Sequence, residues 1–400
     1  MKTILLILII IVFAACGRNS KNEQTETVKV IDLLSEPESK VTKLSEIAAN
    51  IEYIPLQTTK SSLIGPIILK IININNRIFI LNSGFQGEIL CFDLNGKFLF
   101  KLQKKGRGPE EYIYITDFDV SSDNKFLTIL SSLNRKLLIY EISETGFTFQ
   151  RSITLKEPAP WMVSLVPETD NVFLAIPPWR GTEPTLSLLI NTVGDIIHFK
   201  PNCYKYENVR KSNYMAINEM LVYTTGNTVC FKEEFSDTVF YIDVKDNSFK
   251  PRIILNSHGT VGTPEIRGGS ESAGNLLTSV ANIFETSRYI FYYYISSGPT
   301  RNRILYDKKT DTKYKLDVES ELKDDLSGGP DFNIEFLHNF CSGDRLFSFV
   351  EAIALKKYVA GEDFKNAQVS DPEKKNELKN LADSLDETDN PVLIIVTPKK

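Results

Sequence analysis

Short apolar runs recur along the chain, each followed by an acidic or amide residue, a polar turn and a second run in which apolar and polar residues alternate. The pattern reads Ile89-Leu90-Cys91-Phe92-Asp93 before Asn95-Gly96, and Leu137-Leu138-Ile139-Tyr140-Glu141 before Thr145-Gly146. It returns as Leu188-Leu189-Ile190-Asn191 before Val193-Gly194, Val239-Phe240-Tyr241-Ile242-Asp243 before Asp246-Asn247, and Ile304-Leu305-Tyr306-Asp307 before Thr310-Asp311. Alternation with period two marks a strand with one buried face. Asn-Gly and kindred pairs supply the positive φ that tight hairpins demand. Positions 93, 141, 191, 243 and 307 are separated by 48, 50, 52 and 64 residues. A repeat near fifty residues with four strands per unit predicts a β-propeller.

Each unit also holds an earlier hairpin, such as Phe118-Asp119-Val120 through Ser121-Ser122-Asp123-Asn124 to Phe126-Leu127-Thr128-Ile129. The units fall near 64–103, 112–155, 160–200, 212–253, 276–317 and 332–397, an all-β chain of six blades. The sixth lacks a fourth strand after Pro391-Val392-Leu393-Ile394-Ile395-Val396. Residues 51–57, which belong to no other unit, are predicted to complete it. Closure by a strand from the opposite end removes open sheet edges. An insertion after Val350 carries one predicted helix in the sixth blade. Asp371 is its N-cap, Pro372 its first residue, and Leu378, Leu381 and Leu385 share one face.

The N-terminus reads as an address. Lys2 precedes an uncharged run from Ile4 to Ala15, about twelve residues and too short to cross a bilayer at roughly 1.5 Å per residue. The pattern is a signal peptide over residues 1–15. Phe13-Ala14-Ala15-Cys16-Gly17 resembles a bacterial lipobox, with Phe13 where that motif usually has Leu. The resemblance implies lipidation of Cys16, a polar tether over 16–43 and a propeller over 44–400. The alternative is ordinary cleavage with Cys16 incidental. Two or more acyl chains hold a protein on a membrane where one is marginal. The expected location is the cell envelope, on the outer membrane, with the side left open.

Composition adds exclusions. The chain has 400 residues and a formal charge of −5, with 24 Phe and 16 Tyr beside 4 Met. Aromatic side chains favour pleated surfaces. Mild acidity argues against a nucleic-acid partner, which needs a concentrated basic face. Three His and five scattered Cys argue against a zinc finger or a multi-histidine metal enzyme. Cys91, Cys203, Cys230 and Cys341 have no staple spacing; buried free thiols are favoured over disulfides. A monomer is expected.

The stretch Leu44-Ser45-Glu46-Ile47, continued by Ile51-Glu52-Tyr53-Ile54-Pro55-Leu56-Gln57-Thr58, resembles the opening of six-bladed β-propeller lipoproteins of bacterial envelopes. So does Asn95-Gly96-Lys97-Phe98, followed by Lys105-Gly106-Arg107-Gly108-Pro109-Glu110-Glu111-Tyr112 and Asp117-Phe118-Asp119-Val120. The Gly-Arg-Gly-Pro-Glu-Glu-Tyr segment is similar to an NHL-type blade junction. The resemblance implies the fold and assigns no catalytic residue. Read physically, Gly106 and Gly108 permit unusual backbone angles and Pro109 fixes φ before the next strand. A structural turn is therefore favoured over a phosphate-binding loop, because no helix follows.

Strands in a blade alternate direction, so the first-to-second and third-to-fourth connections share one face. Those are tight. Almost every long segment lies on the other face: Pro177 to Pro184, Pro201 to Asn213, Asn256 to Asn275, Ser296 to Arg303 and Ala352 to Asn390. Long loops on a rigid rim carry binding and catalysis. Candidate ligand contacts there are Trp161, Trp179, Arg180, Arg107, His258, Arg267, Arg301 and Arg303, since Trp and Arg are favoured anchors. The competing reading makes both Trp rim core and the Arg residues paired or solvated. Asp117 and Asp119 alternate on an inner strand, about 6–7 Å apart. They are channel candidates, suited to an acid/base pair or calcium, or to satisfying backbone groups. No cofactor or metal site is assigned. The expected function is a binding module for a glycan, peptide or envelope protein. The alternative is a polysaccharide-related lyase, lactonase or hydrolase with its site at the channel mouth.

Overall fold

In the computed structural model, the recurring acidic or amide residue is the device that closes the outer hairpins. The structure describes residues 28–82, 87–156, 160–207, 219–269, 279–296, 301–317, 321–334 and 339–400, without the side chains of Arg301 and Cys341. The expected signal peptide and Cys16 lie outside the described residues. Asp93 Oδ1 accepts from the N–H groups of Asn95 and Lys97, both at 2.9 Å, while Gly96 takes φ 79°. Asn191 Oδ1 holds Val193 and Asp195 in the same way, at 3.0 and 2.9 Å. Asp243 and Asp307 each accept the N–H two residues on, at 2.9 Å. A short side chain that bonds its own turn is the reason Asp and Asn recur there. In the second blade the cap moves to Ser143 Oγ, which accepts from Thr145 N–H at 3.2 Å. Glu141 instead takes Gln150 Nε2 at 2.8 Å.

Six antiparallel sheets form the ring. The first blade comprises Ile68–Ile74, Arg77–Asn82, Glu88–Asp93 and Phe98–Leu102. The second comprises Asp117–Val120, Phe126–Ser131, Lys136–Ile142 and Phe147–Thr154. The third comprises Met162–Leu165, Val172–Ala175, Thr185–Ile190 and Ile196–Pro201; the fourth, Met220–Thr225, Thr228–Glu233, Thr238–Asp243 and Ser248–Asn256. The fifth comprises Ser279–Glu285, Tyr289–Ile295, Arg301–Asp307 and Thr312–Lys315. The sixth takes Cys341–Ser342, Arg345–Val350 and Val392–Pro398 from one end of the chain and Ala48–Pro55 from the other. Ile54 sits opposite Leu393, and Ile51 opposite Val396. Neighbouring blades share apolar seams. Phe79, Cys91, Phe118 and Tyr140 join the first two, and Phe173 and Phe231 join the third and fourth at 4.8 Å between rings.

Residues 29–43 correct the expectation of a tether reaching residue 43. Lys29–Asp32 pairs in parallel with the outer strand of the fourth blade, Lys29 opposite Ile253 and Asp32 opposite Asn256. Ser39–Lys40 pairs in parallel with the outer strand of the fifth. The cause is apolar: Ile31 and Leu33 are 3% and 1% exposed, in the core of blades four to six. The insertion holds three helices rather than one, Ala352–Ala360, Glu362–Asn366 and Pro372–Ser384. The last is capped by Asp371, which accepts from Lys374 N–H at 3.1 Å. Leu355, Phe364, Leu378 and Leu385 pack with Val392 and Tyr53, which fixes the insertion to the closing strands. Cys91 and Cys230 are buried free thiols, whereas Cys203 is free but exposed. Burial pushes the Cys91 thiol up to about 12.

Deleting residues 391–400 removes the strand between Arg345–Val350 and Ala48–Pro55. The expected outcome is loss of the cooperative thermal transition by circular dichroism. A sharp transition at the native midpoint would show that the ring does not depend on this strand.

Candidate functional site

The first strands of blades one, two, three, four and six line an axial cavity of about 660 Å³. It runs from the tight turns at Asn75, Ser122, Pro167 and Gly226 to Trp161, Trp179 and Glu219 on the long-loop face. Asp117 and Asp119 line it, and both carboxylates are engaged across the seam between blades two and three. Asp117 Oδ2 accepts from Val163 N–H at 2.9 Å. Asp119 Oδ2 accepts from Leu165 N–H at 2.7 Å and Ser164 Oγ at 3.1 Å. On the other side, Lys70 of the first blade donates to Asp117 Oδ1 at 2.9 Å and to the Phe118 carbonyl at 2.8 Å. One lysine and two aspartates therefore tie three successive inner strands together. Burial pushes the Asp119 carboxyl up, against the opposing pull of Lys70. Burial pulls Lys70 down, but the two aspartates outweigh it and its net shift is upward.

At the long-loop mouth, Trp161 and Trp179 meet edge to face, ring centroids 4.6 Å apart at 73°. Trp161 precedes the inner strand of the third blade, and its N–H bonds the Ala175 carbonyl at 2.8 Å. Trp179 sits in the turn Pro177-Pro178-Trp179-Arg180-Gly181. Gly181 takes φ 74°, and a Cβ there would lie 2.4 Å from the Tyr206 carbonyl oxygen. Tyr206 in turn donates its hydroxyl to the Pro178 carbonyl at 2.8 Å. The turn is thus clamped onto Tyr206, which fixes the second indole. Both rings line the channel, and the Trp179 Nε1 is buried with no hydrogen-bond partner among the described residues. An unmade bond of this kind costs about 1–3 kcal/mol.

The adjoining seam between blades three and four is charged. Arg267 lies on the short helix Pro264–Gly268 and holds buried Glu219 through Nη2 and through Nε at 3.1 Å. Burial, reinforced by the Glu219 charge, pushes the Glu234 carboxyl up to about 7. Burial pulls the enclosed Lys232 down to about 8, against Asp237, Glu234 and Glu233; its Nζ donates to the Glu233 carbonyl at 2.9 Å.

The proposed rim anchors separate into distinct groups. Trp161 and Trp179 converge. Arg180 and Arg107 are exposed. Arg107 lies in a self-closed junction, where Gly108 N–H donates to Glu111 Oε2 at 2.7 Å. His258 pairs with Asp32 of the N-terminal strap at 3.1 Å and so meets the chain's own edge strand. Arg267 is committed to Glu219. Arg303 is buried inside the fifth blade, its guanidinium 5.1 Å from the Tyr293 ring, because it alternates inward on its strand. Arg301 begins that strand, and its side chain lies outside the description. Sequence reasoning missed Lys70, Tyr206, Glu219, Lys232 and Glu234. Lys70 was findable: it occupies an inner strand, as Asp117 and Asp119 do. Among the described residues, no cluster of three or more His, Cys, Asp or Glu side chains is placed to hold a metal ion. No described helix is long and apolar enough to cross a membrane.

Six small sheets around one axial channel define a six-bladed β-propeller. Residues 28–397 match the family described as a domain of unknown function, DUF4934, and the chain belongs to that family. A Bacteroides fragilis NCTC 9343 protein named as exported is similar in structure, with 20% identity and a TM-score of 0.66 over 94% of this chain and 100% of that one. A DUF4221-family protein of Bacteroides vulgatus ATCC 8482 is 12% identical, with a TM-score of 0.49 over 90% of this chain and 99% of that one. No curated protein matches the chain.

Asp119→Ala removes the acceptor for two donors of the third blade and is expected to cost about 2–4 kcal/mol in urea unfolding. A loss under about 0.5 kcal/mol would refute the clamp. Glu234 is about 4.5 in a free chain and about 7 in the fold. Its fold-favoured state is protonated, so its contribution is full below about 4.5 and lost as pH rises through about 7. Glu234→Gln is expected to flatten that decline and to gain up to about 3 kcal/mol over the native chain at alkaline pH. Urea midpoints that run parallel from acid to alkaline pH would exclude this.

Proposed function

We propose that this protein is a lipid-anchored envelope protein that binds a glycan at the long-loop mouth of its propeller channel. The Trp161–Trp179 corner carries the reading. Two indoles at a steep angle make a rigid apolar wall of the kind that stacks on the apolar face of a sugar ring, beside groups that bond hydroxyls. The aspartates of the channel wall serve the ring itself, which leaves the indoles as the recognition surface. The exported name of the Bacteroides fragilis protein supports an envelope location, and the lipobox pattern at Cys16 supports the anchor. We read the Gly106–Tyr112 junction as NHL-type on the same footing. Glu219 lines the channel mouth, and Glu234, which burial and the Glu219 charge push up to about 7, stands behind it; the pair supports a second reading as a polysaccharide lyase, lactonase or hydrolase, because an acid/base group works best near the operating pH.

The test is a thermal-shift and calorimetric screen of the full chain against neutral and uronic-acid oligosaccharides, with peptides alongside. A glycan is expected to raise the melting temperature by mass action. Trp161→Ala and Trp179→Ala are each expected to weaken its binding roughly thirty-fold, about 2 kcal/mol. Binding of peptides alone, or glycan binding indifferent to both tryptophans, overturns the site. Glycan cleavage lost in Glu234→Gln replaces the binding reading with the enzymatic one.

A further inference from the structure

One hairpin on the tight-turn face departs from the polar pattern of its counterparts. The corresponding turns of the first, second and fifth blades are Asn95-Gly96-Lys97, Glu144-Thr145-Gly146 and Lys308-Lys309-Thr310, and the fourth exposes one apolar residue, Val244 (39%), beside Lys245-Asp246-Asn247. The third blade instead exposes Val193 (71%), Ile196 (51%), Ile197 (38%) and Phe199 (53%) on a single hairpin. One exposed apolar residue needs no explanation; four on one hairpin do.

Strand pairing does not use them. The outer strand Ile196–Pro201 has a bulge at Ile197, between the pairs Leu189–His198 and Ile190–Ile196. Pro201 has no N–H to offer. Both features blunt an edge against another strand. Nor does the neighbouring blade cover them. His198 turns inward to Phe249, 4.7 Å between rings, and Lys200 turns inward to Glu233. Ile197 and Phe199 alternate outward.

The N-terminal part of the chain bears on what covers the patch. The strap Lys29–Asp32 begins along the outer strand of the fourth blade, the blade that follows this hairpin, and Lys29 pairs at 2.7 Å with Asp311 of a tight turn in the fifth blade. Val28 and Val30 beside it are 39% and 57% exposed. Cys16 precedes Val28 by 12 residues, a reach of about 40 Å when extended. An acyl group on Cys16 would hold Val28 within about 40 Å of the bilayer, a reach that lets the tight-turn face meet the lipid. We propose that the third-blade hairpin, through Val193, Ile196, Ile197 and Phe199, rests in the headgroup–acyl boundary of that membrane. The tight-turn face then lies on the lipid, and the mouth with Trp161 and Trp179 faces away from it. The inference rests on the lipid-anchor reading above.

The test uses the full chain, purified from bacterial membranes and placed in phosphatidylethanolamine/phosphatidylglycerol vesicles with brominated acyl chains. Val193→Trp is compared with Leu133→Trp, another exposed apolar position (67%) in a turn on the long-loop face, and with the unsubstituted chain as blank. The added fluorescence at 193 is expected to fall at least two-fold, and that at 133 to stay unchanged. Mass spectrometry of the same sample reports acylation at Cys16. An acylated chain with no quenching at 193, or equal quenching at both positions, overturns the inference and leaves the anchor standing. An unacylated chain overturns the anchor; the hairpin is then judged by the same quenching with added vesicles, whose absence overturns it. A dimer in sedimentation that shields residue 193 from the vesicles replaces the lipid with a second copy.

Discussion

The pairing of Ala48–Pro55 with Val392–Pro398 is the constraint on which the rest depends. A ring of blades has no natural stopping point, and each blade left open presents an apolar seam and an unpaired edge. Here two segments more than three hundred positions apart lie side by side in one sheet, so the ring closes through hydrogen bonds rather than through packing alone. The helical insertion packs on that junction through Val392 and Tyr53. Tyr53 also donates its hydroxyl to buried Asp324 at 2.8 Å, which draws the connection after the fifth blade into the same closure. The N-terminal strap extends it further, running along the edges of blades four and five before it enters the sixth.

Closure dictates what the axis can do. Inner strands converge and half-bury the polar side chains between them, so charge left unpaired there is expensive. Lys70, Asp117 and Asp119 meet this demand by bonding one another and the N–H groups of the next blade. A group so committed is poorly placed to serve as a free acid or base. The seam between blades three and four differs. Glu234 and Lys232 both lie shifted toward neutrality, Glu219 holds Arg267, and two tryptophans stand at the opening. The departures from the ring's own regularity concentrate at this seam.

The architecture was legible because it repeats. A residue such as Asp93 caps a turn with its own carboxylate, and that chemistry must recur wherever the turn recurs, so spacing alone revealed the blades. The closing strand was legible by elimination, as a run without a unit beside a unit without a strand. The strap was not: Val30-Ile31-Asp32-Leu33 is too short to stand out as a strand, and its burial depends on a seam built by residues two hundred positions away. The candidate site was legible in part, for a different reason. Trp161 and Trp179 were singled out by type and by loop length. Their contact depends on Gly181 and Tyr206, whose meeting no local pattern announces. Arg303 and Arg267 show the converse error. Residue type marked them as anchors, while strand alternation and a buried partner had already claimed them.

The mouth itself explains why glycine matters there. Tyr206 and Glu207 thread between Gly181 and Gly268, and a Cβ on either glycine would meet backbone oxygen at 2.4–2.5 Å. The two glycines therefore let one short segment pin both the tryptophan turn and the helix that carries Arg267. Displacing that segment would move the aromatic wall and the Glu219–Arg267 pair together, although they stand on different blades. The position of the indoles and the charge state of the seam are in this way mechanically joined. The proximity of Glu234 to neutrality gives that joint a consequence in pH: ionising Glu234 adds a second negative charge near Glu219, loads the same seam and bears on the corner where the ligand would sit.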